Sequence, residues 1–176
     1  MIITIGGLPG SGSTTVARIL SARLGLEYIS SGEIFRELAK ERGVTLEEFG
    51  KIAEADDTID RMIDERQKKI ASSREDLIVE GRLSGILLRE YANLTVWLKA
   101  PLDVRVERVT ERDALDRSRL LTLIKEREHS EWIRYNEYYG VDLKDLSLYD
   151  LVIDTSRWSA EEVTDIILMA VELSSG

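Results

Sequence analysis

The chain has 176 residues, of which 43% are hydrophobic and 32% are charged, so it can form one α/β domain with a complete core. Its net charge of −9 argues against general nucleic-acid binding, and the absence of cysteine with a single histidine excludes disulfides, thiol nucleophiles and cysteine or histidine zinc clusters. No apolar run reaches membrane-spanning length and no basic leader precedes the first strand, so we expect a cytoplasmic protein that does not bind membranes.

The N-terminal segment predicts a strand, a glycine-rich loop and a helix in that order. Residues 2–5 form a β-branched apolar run typical of a buried strand, and apolar residues at 16–24 repeat at helical spacing. Between them the chain matches the phosphate-binding loop G-x-x-x-x-G-K-[ST], except that Ser13 replaces the lysine. We predict that this loop binds ATP through Gly7, Leu8, Pro9, Gly10, Ser11, Gly12, Ser13, Thr14 and Thr15.

Most of this loop's chemistry does not need the missing lysine. Gly7, Gly10 and Gly12 can adopt positive φ, so that backbone N–H groups point into one concavity, and the next helix adds its positive dipole end. The hydroxyl of Thr14 is a predicted ligand for Mg²⁺ between the β- and γ-phosphates. The missing charge would come from arginines later in the chain. The alternative is a glycine-rich turn without a ligand.

Four further apolar runs predict strands, at residues 27–29, 77–80, 94–98 and 151–153. Helical patterns separate them, and a capping box at 159–162 begins a closing amphipathic helix. Strands that alternate with helices form a doubly wound parallel sheet covered on both faces. The sequence therefore predicts an α/β fold of the P-loop NTPase type, with five parallel strands in a single domain over residues 1–176.

The connection at residues 31–72 is longer than a simple crossover needs. It contains three predicted helices, which begin at Ser31 or the residue before it, at a capping box on Thr45, and at Asp57 or the residue before it. Extra structure above a parallel sheet usually holds a second ligand, so we assign this insertion to binding an acceptor. The third helix is expected to bury one apolar stripe made of Ile59, Met62, Ile63 and Ile70.

An arginine-rich segment follows the fourth strand. Residues 105–119 are weakly apolar, which is typical of a mobile lid, and a helix is predicted to continue to residue 139. We expect Arg108 and Arg112 to contribute to ATP binding, and assign residues 1–30, 73–104 and 141–176 to the core. Arginines enclosing a small anion are compatible with an acidic protein. The segment and its helix carry Arg105, Arg108, Arg112, Arg117, Arg119, Arg127 and Arg134.

Two further groups are candidate site residues. Glu80 and Arg82 end a buried strand, at the edge of the sheet where ligands bind, although a solvated strand end is the alternative. Arg127 and Arg134 are seven residues apart and share a helix face. That face is equally compatible with a solvated charged stripe, because three acidic residues are available as helix partners: Glu126, Glu128 and Glu131.

With these residues in view, the chain resembles the nucleoside monophosphate kinases among the P-loop kinases, and more narrowly the cytidylate kinases of archaeal type. The resemblance covers essentially the full length. It rests on the loop at 7–15, on Ser31-Gly32-x-x-Phe35-Arg36, on Glu80-Gly81-Arg82, on the pair Arg127 and Arg134, and on the ending at 149–156.

The resemblance implies roles for these residues. It implies that Ser31, Arg36 and Arg82 contact the monophosphate acceptor, and that Glu80 belongs to the same acceptor site, with its contact left open because bacterial enzymes usually have aspartate there. Arg127 and Arg134 would reach the phosphates when the lid closes, acting in catalysis with Thr14, and Ser13 resembles a variant of the archaeal subgroup. The family also implies ATP and a nucleoside monophosphate as substrates, Mg²⁺ as cofactor, and a monomer.

The leading hypothesis is transfer of the γ-phosphoryl group of ATP to CMP or dCMP under a closing lid. An acceptor phosphate is already anionic, so no general base is required. Two alternatives stay open. One is a related kinase that acts on UMP, AMP or another small metabolite. The other is a nucleotide-binding switch that has lost catalysis along with the loop lysine.

Overall fold

The computed structural model describes residues 1–113 and 116–174, apart from the side chains of residues 112 and 113. Five strands form one sheet: β1 (Ile2–Gly7), β2 (Glu27–Ser30), β3 (Leu77–Glu80), β4 (Leu94–Lys99) and β5 (Leu151–Asp154). The helices are α1 (Ser13–Leu24), α2 (Ser31–Glu41), α3 (Leu46–Ala55), α4 (Thr58–Ser73), α5 (Ser84–Leu87), α6 (Leu102–Asp113), α7 (Arg117–Tyr139) and α8 (Ala160–Ser174). Short 3₁₀ turns occupy Leu146–Leu148 and Thr155–Arg157.

The strands lie in the order β2-β3-β1-β4-β5 and every pair is parallel, which confirms the predicted five-stranded sheet. Strand β1 is central and is buried on both faces. One face carries Ile3 and Ile5, which pack with α1 and α8, and the other carries Ile2, which packs with β3 and the end of α4. The register places Glu80 between Ile5 and Ser30, so the carboxyl ends of three strands meet there.

The insertion between β2 and β3 consists of α2, α3 and α4, as predicted. The Ser30 hydroxyl caps α2 by accepting from the backbone N–H of Glu33 at 3.2 Å, and Thr45 forms a complete capping box with Glu48. These three helices share a small apolar cluster that does not include the sheet. Its buried members are Ala39, Phe49, Ala53, Ile59 and Ile63.

The predicted apolar stripe of α4 is wrong at Met62, whose surface is 48% exposed. The buried face of this helix carries polar residues beside Ile59 and Ile63 instead. They can be buried because α7 and α5 supply hydrogen-bond partners for them, as described below. The buried polar residues of α4 are Asp60, Asp64 and Gln67.

Residues 105–119 were expected to form a weakly apolar segment typical of a lid, with few apolar side chains to bury. This expectation is wrong for the first part of the segment. Residues 105–113 continue α6, and Val106 and Val109 are buried against Leu120 and Ile124 of α7. The α6–α7 connection includes residues 114 and 115, which lie outside the described part of the chain. Closure of a lid there stays a prediction. Among the described residues, no helix is both long enough and apolar enough to span a membrane.

Replacing Phe49 by alanine is expected to destabilise the protein by about 3–5 kcal/mol, because the ring is fully buried and packs 4.7 Å from the ring of Phe35. Urea denaturation followed by circular dichroism measures the change. Ile52→Ala is the control on the same helix, since Ile52 is 37% exposed and its truncation removes less buried surface. Equal costs for the two variants would contradict an apolar core inside the insertion.

Candidate functional site

The phosphate-binding loop runs from the end of β1 to the start of α1. Gly10 and Gly12 adopt positive φ, at 81° and 92°, as predicted. Gly7 does not, and its glycine is required for another reason: a Cβ there would lie 2.3 Å from Ser11 Oγ and 2.7 Å from the carbonyl oxygen of Leu98. The backbone N–H of Ser11, itself buried, donates to the carbonyl of Leu8 at 3.0 Å and closes the turn.

Helix α1 begins without a cap of its own. Its N-cap is Gly12, which offers no side chain, and its first turn carries no acidic residue. The first-turn N–H groups and the positive end of the helix dipole are therefore available to an anion. Thr14 is half-buried in this turn and its hydroxyl has no hydrogen-bond partner among the described residues, whereas Thr15 is exposed. This arrangement fits a phosphate group and an Mg²⁺ ion that takes most of its ligands from phosphate and water.

The carboxylate of Glu80 is buried between the loop and the acceptor insertion. Ser13 Oγ donates to Glu80 Oε1 at 2.9 Å, and Ser30 Oγ donates to Oε2 at 2.6 Å. Ser31 Oγ donates to the backbone oxygen of Glu80 at 3.3 Å. The residue that replaces the loop lysine thus binds Glu80, whose contact the sequence left open. Arg36 is exposed on α2 and forms no ion pair within the described residues.

A second buried carboxylate, that of Glu131 on α7, is shared by two arginines. Arg82 Nε donates to Oε2 at 2.7 Å and Arg127 Nε donates to Oε1 at 2.9 Å. A terminal nitrogen of Arg82 also donates to the carbonyl oxygen of Gly7, which connects this cluster to the phosphate-binding loop. Burial alone would raise the pKa of Glu131, but the two guanidinium groups outweigh it and hold that pKa at about 2.

Arg134 does not join Arg127 on a common group. Its Nη1 donates to both carboxylate oxygens of Asp60, at 2.7 and 2.8 Å, and both side chains are buried. Its guanidinium also lies 5.2 Å from the ring centre of Phe35 and 5.5 Å from that of Tyr135. The structure therefore places Arg134 in a closed ion pair between α7 and α4.

Two arginines of α6 donate hydrogen bonds to backbone atoms in or near the phosphate-binding loop. Arg105 donates to the carbonyl oxygens of Ala100 and Pro9 at 3.0 Å each, and pairs with Glu128 of α7. Arg108 donates to the hydroxyl and the carbonyl oxygen of Thr155, at 2.9 and 2.7 Å. The predicted contact of Arg108 with ATP is not tested by these bonds, and the side chain of Arg112 lies outside the described residues.

Comparison with known proteins assigns the family. A family model described as the cytidylate kinase-like family matches residues 2–157. A protein named cytidylate kinase from Methanopyrus kandleri is 50% identical over 98% of this chain and 93% of its own length. The chain belongs to the cytidylate kinase-like family. Relatives with the same name from Methanococcoides burtonii and Methanocaldococcus jannaschii are 49% and 48% identical, and each alignment covers 98% or more of both chains.

Solved structures support the same fold for this member of the cytidylate kinase-like family. An uncharacterized protein from Eubacterium ventriosum matches 98% of both chains with a TM-score of 0.76 and 23% identity. A shikimate kinase from Aquifex aeolicus matches 99% of this chain and 98% of its own, with a TM-score of 0.62 and 21% identity. At these identities the comparison concerns the fold alone, and it supports the predicted α/β fold.

Two partners at this site, Glu131 and Asp60, were not predicted from the sequence. The spacing of Arg127 and Glu131 did signal a helix pair, but it suggested a solvated one, whereas the side chain of Glu131 is only 5% exposed. Asp60 gave no signal, because its partner Arg134 is distant in sequence.

Asp64 lies one turn after Asp60 on α4 and is also buried. Tyr139 donates a hydrogen bond to Oδ2, and the side-chain amide of Gln67 donates to Oδ1 at 3.3 Å. The Ser84 hydroxyl donates to Gln67 in turn, at 2.8 Å. Burial raises the pKa of Asp64 to about 6. The interface between the insertion and α7 therefore contains a carboxyl group that titrates near neutral pH.

Asp64 is expected to make stability depend on pH between about 4, where an unfolded aspartate titrates, and about 6. In this window the folded state binds more protons, so the free energy of unfolding falls as pH rises. Asp64→Asn removes this effect, and wild type should therefore gain on the order of 1–3 kcal/mol relative to the variant between pH 7 and pH 4.5. Urea denaturation of both proteins across this range measures the difference between their free energies of unfolding. A difference that does not change with pH would contradict the raised pKa of Asp64.

Arg134→Ala is expected to destabilise the protein by about 3–5 kcal/mol, because it leaves the buried carboxylate of Asp60 without a counter-charge. Arg127→Ala is the matched control, since Glu131 keeps Arg82 as a partner and Arg127 is one-third exposed. Urea denaturation at pH 7 compares the free energies of unfolding of the two variants. Equal losses would show that the Arg134–Asp60 pair does not stabilise the fold more than the Arg127–Glu131 pair does.

Proposed function

We propose that this protein transfers the γ-phosphoryl group of ATP to CMP or dCMP, forming ADP and the corresponding diphosphate. The observation that carries the proposal is the uncapped phosphate-binding loop with arginine side chains beside it, in a chain about half identical to proteins named cytidylate kinase over nearly its whole length. We further propose that it works as a cytoplasmic monomer.

On the donor side, the loop and the first turn of α1 would hold the phosphates of ATP. Gly10 and Gly12 set the backbone so that its N–H groups converge, and the helix dipole adds positive charge. Thr14 would be the protein ligand of Mg²⁺, which when bound neutralises charge on the β- and γ-phosphates. The Thr14 hydroxyl is free for this role, because it forms no hydrogen bond with any described residue.

On the acceptor side, the insertion and the end of β3 would hold the monophosphate. Ser31 and Arg82 lie next to the Glu80 backbone and the phosphate-binding loop, and Arg36 is an exposed guanidinium without an ion pair among the described residues. The attacking oxygen is an anionic phosphate oxygen, so the site needs no general base. Catalysis then consists of bringing two phosphates together and neutralising their charge.

A second candidate is a nucleotide-binding switch without catalysis. The observation that favours it is Ser13, which replaces the lysine and donates its hydrogen bond to Glu80. Against it, Arg82 donates to the loop carbonyl of Gly7 and shares Glu131 with Arg127, and a mere binder would not need both arginines. We therefore place the switch second.

ADP formation is the decisive assay, with Mg-ATP and CMP, dCMP, UMP, AMP or GMP tested separately against a blank without acceptor. We expect strong turnover with CMP and dCMP and little with the others, because the relatives that are about half identical to this chain are named cytidylate kinases. Turnover with a different monophosphate would replace the acceptor in the proposal. ATP binding by calorimetry without turnover on any acceptor would favour the switch.

A further inference from the structure

We propose that Glu131 is a positioning residue that orients Arg82 and Arg127 as one two-armed binding site for the transferring phosphate. The proposal rests on the proposed function. Glu131 itself would touch neither substrate, because its side chain is only 5% exposed and its negative charge would repel a phosphate. Its role is to fix the orientation of the Arg82 and Arg127 side chains.

The hydrogen bonds leave the outer ends of both arginines available. Each arginine binds Glu131 through Nε, the nitrogen nearest the backbone, at 2.7 Å for Arg82 and 2.9 Å for Arg127. One terminal nitrogen of Arg82 binds the Gly7 carbonyl oxygen. The other terminal nitrogen of Arg82 and both of Arg127 have no partner within the described residues. Because a guanidinium is planar, fixing Nε also fixes the directions of these terminal donors.

The two arginines come from different parts of the fold. Arg82 follows β3, while Arg127 lies on α7, one helical turn before Glu131. A single carboxylate therefore brings a side chain from the sheet edge and one from a long helix to the same place. The bond from Arg82 to Gly7 sets that place at the start of the phosphate-binding loop. A free arginine side chain would lose rotamer entropy on binding phosphate, and this arrangement removes part of that loss in advance.

Among these arginines, Arg127 differs in that neither of its terminal nitrogens has a partner within the described residues. Arg105 and Arg108 give terminal nitrogens to backbone carbonyl oxygens, and Arg134 gives Nη1 to both oxygens of Asp60. The Glu131 cluster also keeps a positive charge, since two guanidinium cations share one carboxylate. That charge lies beside a loop in which Ser13 replaces the usual lysine. The cluster thus supplies both free donors and the charge that the loop lacks.

The test compares Glu131→Gln and Glu131→Asp with wild type and with Glu126→Gln, a control at an exposed position of the same helix. Glutamine keeps the shape but presents an N–H group toward one arginine, so we expect kcat to fall about 10–100-fold. KM for ATP should change much less, because the lost contacts act mainly in the transition state. Aspartate keeps the charge on a shorter side chain and should give an intermediate kcat, and Glu126→Gln should match wild type.

Activity is measured at temperatures where circular dichroism shows every variant fully folded, so a loss of kcat there does not come from unfolding. A kcat for Glu131→Gln within twofold of wild type would overturn the proposal. If that variant does not fold, Glu131→Asp decides, and an unchanged kcat would overturn the proposal equally. A wild-type protein that turns over no monophosphate would refute the proposed function and this role together, whereas unaffected variants of an active enzyme would refute this role alone.

Discussion

The buried carboxylate of Glu80 is the constraint on which the site depends. It lies at the meeting point of three strand ends, where an uncompensated charge would be costly. The structure satisfies it with two hydroxyl groups rather than a cation, Ser13 from the phosphate-binding loop and Ser30 from the cap of α2. One side chain thereby holds the donor loop and the acceptor insertion together. With serine at position 13 the loop has no cation in the lysine position, and Arg82 brings positive charge to the loop backbone instead.

Helix α7 distributes those arginine contacts along its length. Glu128 pairs with Arg105, the arginine that binds the loop backbone. Glu131 binds Arg82 after the end of β3, and one turn later Arg134 binds Asp60 of α4. Near its end, the Tyr138 hydroxyl lies within 2.9 Å of two carbonyl oxygens at the end of α3. The helix therefore connects the donor side of the fold to the acceptor side through polar contacts at nearly every turn.

The parts of the structure that sequence predicted are those with local causes. The strands follow from β-branched apolar runs, and the helix starts follow from capping residues such as Thr45, whose partner is three residues away. The errors have distant causes. Gly7 is required by an approach to Leu98, Met62 is exposed because α4 turns Asp60 inward, and Asp60 is tolerated only because Arg134 faces it. Composition and periodicity contain no information about such partners. The loop motif and the strand and helix patterns supplied most candidate site residues, and the family resemblance supplied the roles of the acceptor residues.

The central position of β1 also has a consequence for how the chain folds. Its first pairing partner is β3, with Ile2 opposite Leu77, and its second is β4. Strand β1 therefore has no partner in the sheet until the whole insertion and β3 have been synthesised. Pairings between such distant segments lose more chain entropy before they are rewarded, so folding should be slow for a protein of this length. During that interval an apolar strand waits unpaired, and it is the segment most exposed to association with other chains.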